Sequence, residues 1–79
     1  MTIDVAYYAV LREQRGLSRE SIETEAATPM ALYRELRAAH GFRLDGSLLR
    51  AAVNGAFVPM DEALGDGDSV VFIPPVAGG

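Results

Sequence analysis

Residues 69–79 read SVVFIPPVAGG. A nearly all-apolar run over 69–73 predicts a strand buried on both faces, because only a central strand hides successive side chains on opposite sides of a sheet. Pro74 and Pro75 each lack a backbone donor, so no ladder continues past Ile73. That strand is therefore the last element of the fold, and whatever precedes it must build the sheet around it.

Upstream, LLRAAVNGAFVP at 48–59 predicts a β-hairpin. Asn54-Gly55 is the pair that most readily takes positive φ at both central positions of a type I′ turn. DEALGDGD at 61–68 is a turn-rich connection. The sequence TPMALYRELRAAHG at 28–41 carries a threonine cap, a proline at the first helical position and a closing glycine. Leu32, Leu36 and Ala39 recur on one helical stripe, with Arg34, Glu35 and Arg37 off it. Near the start, Ile3, Val5 and Tyr7 alternate as in a half-buried strand, with Tyr8 pointing to the opposite face. AVLREQRG at 9–16 suits about two helical turns, and SIETEA at 21–26 alternates around Ile22, Thr24 and Ala26 as a second strand. The order strand, short helix, strand, long helix, hairpin, final strand is an α+β plan with one main helix across a mixed sheet.

Composition narrows the function. A chain of 79 residues holds one small domain, and 49% apolar with 23% charged residues is an ordinary globular mixture. There is no cysteine, which removes thiolate nucleophiles, iron–sulfur clusters and Cys-based zinc sites. A net charge of −4 opposes the basic footprint of a nucleic-acid binder, so no nucleic-acid partner is expected. All seven basic residues are arginine, leaving no side-chain amine for an isopeptide bond or Schiff base. No apolar run approaches the roughly 20 residues that span a bilayer, and no charged-then-apolar leader is expected. A cytoplasmic protein with no membrane contact is expected.

The titratable residues suggest little catalysis. His40, the single histidine, falls at the end of the long helix, where a cation suits the dipole, and reads as structural. Asp61, Glu62, Asp66 and Asp68 lack the ligand spacing of a calcium loop and read as solvated turn residues. No metal site is expected. Tyr7 and Phe72 read as core, whereas exposed aromatics among Tyr8 and Phe57 would form a docking patch.

The tail is mechanically coherent. Two prolines stiffen the exit from the sheet, and Val76, Ala77, Gly78 and Gly79 become progressively narrower. Four extended residues reach roughly 13 to 14 Å, enough to thread a narrow channel. Glycine at both last positions passes where any Cβ would collide.

AAVNG at 51–55 followed by DGDSVVFIPPVAGG at 66–79, with YYAVLRE at 7–13, resembles the MoaD family of sulfur carriers, the small subunits of molybdopterin synthase. The likeness spans essentially the whole chain. It implies a β-grasp (ubiquitin-like) domain over 1–75 and a flexible Gly-Gly tail over 76–79. It further implies a non-catalytic, sulfur-donating subunit that binds no cofactor. The Gly79 carboxylate would be adenylated by an E1-like (MoeB-like) partner using ATP, thiocarboxylated by a sulfur donor, and used to convert precursor Z, a cyclic pyranopterin monophosphate, to the molybdopterin dithiolene. The partner would be a large, MoaE-like subunit in a heterotetramer of two small and two large chains. By the same resemblance Pro75, Val76, Ala77 and Gly78 line that subunit's channel, while Tyr8, Arg12, Phe57 and Ile73 face its surface. Arg12 on its own reads as an ordinary solvated charge; the resemblance gives it a carboxylate or carbonyl partner suited to a planar fork. Carriers for thiamine or cysteine biosynthesis and ubiquitin-related modifiers also end in Gly-Gly. A non-covalent module using only the sheet face is the alternative outside that chemistry.

Overall fold

The computed structural model describes residues 1–75. Residues 76–79, and with them the expectations placed on Val76, Ala77, Gly78 and Gly79, lie outside the described residues.

The chain forms β1 (Thr2–Tyr7), α1 (Ala9–Arg15), β2 (Arg19–Glu23), α2 (Pro29–His40), a 3-10 turn at Gly46–Leu48, β3 (Arg50–Val53), β4 (Ala56–Val58) and β5 (Ser69–Ile73). The five strands make one sheet in the order β2-β1-β5-β3-β4. β5 runs parallel to β1, and every other pairing is antiparallel. This is the β-grasp arrangement: the last strand enters the middle of the sheet and leaves it with neighbours on both sides.

Each element has a local cause. In α2 the Thr28 side chain accepts from the Ala31 amide at 3.1 Å, satisfying one orphan donor of the first turn. Gly41 closes α2 at φ 72°, a left-handed conformation that disfavours other residues. Asn54 and Gly55 take φ 52° and 86° between β3 and β4, the positive pair a tight hairpin needs.

The core lies between α2 and one face of the sheet. Ile3, Val5 and Tyr7 of β1 and Val70 and Phe72 of β5 meet Leu32, Tyr33 and Leu36 of α2. Burying each such aliphatic side chain contributes roughly 1.5–3 kcal/mol before entropy is charged against it. The rings form a chain of contacts: Tyr33 lies 5.4 Å from Phe72 and 5.9 Å from Phe42, and Phe42 lies 5.7 Å from Tyr7. The buried Tyr33 hydroxyl donates to the Leu44 carbonyl at 2.7 Å, so the ring is buried without an orphaned polar end.

Three local readings need correction. β5 is central but covered on one face only: Val70 and Phe72 are buried, whereas Val71 and Ile73 are half-exposed. An apolar run reports pairing position poorly when the open face is itself apolar. In α2 the buried stripe is Pro29, Leu32, Tyr33 and Leu36, and Ala39 is exposed, because the stripe continues at half-buried His40, whose ring lies 5.9 Å from that of Phe42. β2 ends at Glu23; Thr24 and Ala26 are buried without extending it, and the Thr24 hydroxyl donates to Glu35 at 2.7 Å while accepting from the Ala26 amide at 3.0 Å.

Among the described residues no helix is long and apolar enough to cross a membrane.

Candidate functional site

The face of the sheet turned away from α2 has a defined layout, fixed by register. Phe57 lies opposite Ala52, Ala52 opposite Val71, Val71 beside Ala6, and Ala6 opposite Arg19. Directly opposed residues share a face, so these five form one row across all five strands. One step toward the end of β5, Arg50 lies opposite Ile73.

Parallel pairing explains why Tyr8 joins this group. Because β1 and β5 point the same way, the end of β1 at Tyr7 stands beside Phe72, and the next residue, Tyr8, emerges at the edge where β5 gives way to Pro74. Tyr8 keeps an extended backbone (φ −123°, ψ 153°) and is 53% exposed. The chain then turns into α1 through Ala9 at φ 51°, a left-handed conformation that costs a non-glycine residue about 1–2 kcal/mol. A shallow hollow of about 290 Å³ lies here, lined by Ala6, Tyr7, Tyr8, Arg12, Ser18, Arg19 and Val71.

Of the residues expected at an interface, Tyr8 and Arg12 are thus brought together around one hollow. Ile73 lies on the same sheet face, and Phe57, at 62% exposed, stands on the outer strand. Pro74 is half-buried and Pro75 exposed at the exit. Gly79, Val76, Ala77 and Gly78 fall beyond the described residues. Three residues of this face escaped sequence reasoning: Arg19, Arg50 and Val71. The signal for Val71 was its alternation with Phe72; the two arginines needed cross-strand register, which no single strand encodes.

Arginines stand on both sides of β5 on this face. The Arg50 guanidinium sits 4.7 Å from the Phe57 ring centroid, within cation–π range. Arg12 and Arg19 line the hollow on the other side. Among the described residues the single ion pair is Arg15 with Glu20, at 2.7 Å, so these three guanidiniums have no carboxylate of their own there. At the other end of the same strands stand Asp4, Ser21 and Ser69, with Thr2 hydrogen-bonded to Glu23. The face therefore changes from cationic and apolar at the exit to polar and acidic away from it.

Beneath this edge, Arg15 grips Glu20 with two N–H donors at 2.7 and 2.8 Å, and the Tyr7 hydroxyl donates to the same carboxylate at 2.7 Å. The Arg15 bond holds the Glu20 carboxyl below its usual range. Burial first, and then the Glu20 carboxylate, push the Tyr7 phenol well above its usual value.

A second, larger hollow of about 560 Å³ is lined by Met1, Glu23, Thr24, Glu25 and Glu35. It lies at the start of β1, away from the exit, and Thr24 and Glu35 use their polar atoms on each other. The acidic turn is likewise structural. Asp66 accepts from the Thr2 amide at 2.7 Å, and Asp68 from Gly65 at 2.7 Å and from the Asn54 side chain at 3.0 Å.

Residues 5–79 match the ThiS family. The chain is 36% identical over 80 residues to the molybdopterin synthase sulfur carrier subunit of Escherichia coli (strain K12), covering 98% of this chain and 99% of that one. It is 39% identical over 84 residues to the protein of the same name from Chlamydomonas reinhardtii, with both chains fully covered. Among solved structures, SAMP1 from Haloferax volcanii superposes with a TM-score of 0.81 at 25% identity, again over the full length of both.

Proposed function

Because the chain belongs to the ThiS family, we propose that it is the sulfur-carrier small subunit of a molybdopterin synthase. The observation that carries this reading is the full-length likeness to proteins of that name, at 36% and 39% identity, together with a family match that runs through Gly79.

The physical chemistry is consistent with it. A free carboxylate ionises with a reference pKa of about 3.5 and is a poor electrophile until it carries a leaving group. An E1-like partner would join the Gly79 carboxylate to the AMP moiety of ATP, releasing pyrophosphate. A sulfur donor would then displace AMP, so that one carboxylate oxygen is replaced by sulfur. Inside a large-subunit channel, the thiocarboxylate sulfur would bond to the cyclic pyranopterin precursor, and water would then cleave the acyl C–S bond, leaving the sulfur on the pterin and restoring the Gly79 carboxylate. Two such deliveries supply two dithiolene sulfurs, and a complex of two small and two large chains in the cytoplasm fits that need.

On this reading β5 acts as the fixed base of the tail. It is paired on both sides up to Phe72 and with β3 alone at Ile73, then loses its donors at Pro74 and Pro75. Tyr8, Arg12, Ile73 and Phe57 would seat the large subunit against the open face, so that the tail enters at a set position and angle. Positioning of this kind raises the effective concentration of the transferred group without any catalytic residue on the carrier.

The test has two stages. With the cognate activating enzyme, ATP and sulfide, the intact mass should rise by about 16 Da, the exchange of oxygen for sulfur at an activated acyl centre. Loaded carrier mixed with the large subunit and cyclic pyranopterin monophosphate should then yield molybdopterin. Removal of Gly79 should abolish both while leaving the melting temperature unchanged. Normal sulfur transfer by that deletion would overturn the carrier reading. The ThiS match also favours a second reading, a carrier for another sulfur pathway; loading without molybdopterin formation would select it.

A further inference from the structure

We propose that Arg50, held over the ring of Phe57, is a further docking contact for the large subunit, one that selects a partner surface presenting a carboxylate beside an apolar patch. This rests on the carrier reading above, which already places Phe57 of β4 at that interface, and adds Arg50 of β3 to it.

The geometry makes Arg50 more than a solvated charge. It lies directly opposite Ile73, the last paired residue before the exit. Its guanidinium is stacked 4.7 Å from the Phe57 centroid, and Phe57 occupies the diagonal position across the hairpin, opposite Ala52. Stacking on a ring holds the planar fork in one orientation, so less rotamer freedom is lost when a carboxylate pairs with it. It also steadies a phenylalanine that is 62% exposed, the size and type of side chain that anchors interfaces.

Charge argues for the occupant. The chain carries a net charge of −4, yet Arg50 on one side of β5 and Arg12 and Arg19 on the other have no acidic partner among the described residues. A partner matched to this face is apolar at its centre with carboxylates at its rim. Arg50 and Arg12 then hold it from opposite sides of the exit, which fixes rotation about the tail as one contact alone would not.

The experiment measures binding of the cognate large subunit to wild type, Arg50→Met, Arg50→Lys, Phe57→Leu and Arg50→Met/Phe57→Leu at low and high salt, with melting temperatures as a check on folding. Wild type should bind less tightly as salt rises. Arg50→Met should weaken binding about tenfold at low salt and flatten the salt dependence. Arg50→Lys should retain the salt dependence but lose about threefold, since an ammonium lacks the stacked fork. In the Phe57→Leu background Arg50→Met should lose clearly less than it does alone, the signature of coupled residues. Unchanged affinity and salt slope for Arg50→Met would overturn the inference. If wild type loads sulfur and binds while Arg50→Met is indistinguishable from it, this inference fails alone. If wild type neither loads nor binds, the carrier reading fails and takes this inference with it.

Discussion

The Tyr7 hydroxyl reaches across to β2 and donates to the Glu20 carboxylate at 2.7 Å, on the same group that Arg15 holds from the end of α1. Three elements, β1, α1 and β2, are thereby tied at one carboxylate near the end of β1. Tyr7 itself is buried, at 2% exposure, so only its oxygen approaches the edge.

Tyr7→Phe should retain the packing and lose the hydrogen bond. Glu20 keeps both Arg15 contacts, which limits the loss to about 1 kcal/mol. For a domain of this size that corresponds to a fall in Tm of roughly 4–8 °C. A calorimetric scan of the variant checks it; no change would mean that water replaces the bond without loss.

Acid should weaken the fold through the depressed carboxylates. Glu20 is held down by Arg15, Asp68 by the Gly65 amide, and Asp45 by the Ser47 amide. A carboxylate with a lowered folded-state pKa stabilises above its unfolded value, about 3.9 for Asp and 4.3 for Glu. That contribution is lost as pH falls through the folded-state value. Stability should thus be flat in these groups from neutral pH to about 5 and decline below about 4. Glu20→Gln should be less stable at neutral pH and show a shallower decline in acid urea titrations.

Ala9 should accept glycine with little loss or a slight gain. Its φ of 51° costs a non-glycine residue about 1–2 kcal/mol, whereas glycine adds about 0.5–1 kcal/mol of unfolded-state entropy. The difference favours Ala9→Gly by about 0.5 kcal/mol. Ala9→Val, with a branched Cβ at the same φ, should destabilise by more than 1 kcal/mol. Chemical denaturation of both variants decides whether the turn that presents Tyr8 is strained.

Gly46 should accept a side chain only at a modest cost. A Cβ there would stand 2.8 Å from the Met30 Sδ and 3.2 Å from the Tyr33 ring. Met30 is flexible and can swing aside, whereas the buried Tyr33 ring must give by a few tenths of an ångström, which sets the cost near the low end of overpacking, about 1 kcal/mol. Gly46→Ala should lower Tm, and adding Met30→Ala should recover part of the loss by vacating the contact.

The local signals were legible because their causes are local. Thr28 with Pro29, Asn54 with Gly55, and Pro74 with Pro75 each act through backbone angles or missing donors within a few residues, so the cap, the hairpin and the end of β5 follow from neighbours in sequence. Alternation in β1 separated Tyr7 from Tyr8 for the same reason. What only the tertiary structure decided is the company each residue keeps. That β5 lies between β1 and β3, that Val71 and Ile73 face outward, and that Arg50 stacks on Phe57 while Arg12 and Arg19 stand across the exit are matters of register and strand order. Those depend on contacts between segments far apart in the chain, whose free energies compete globally, and no stretch of sequence carries them alone.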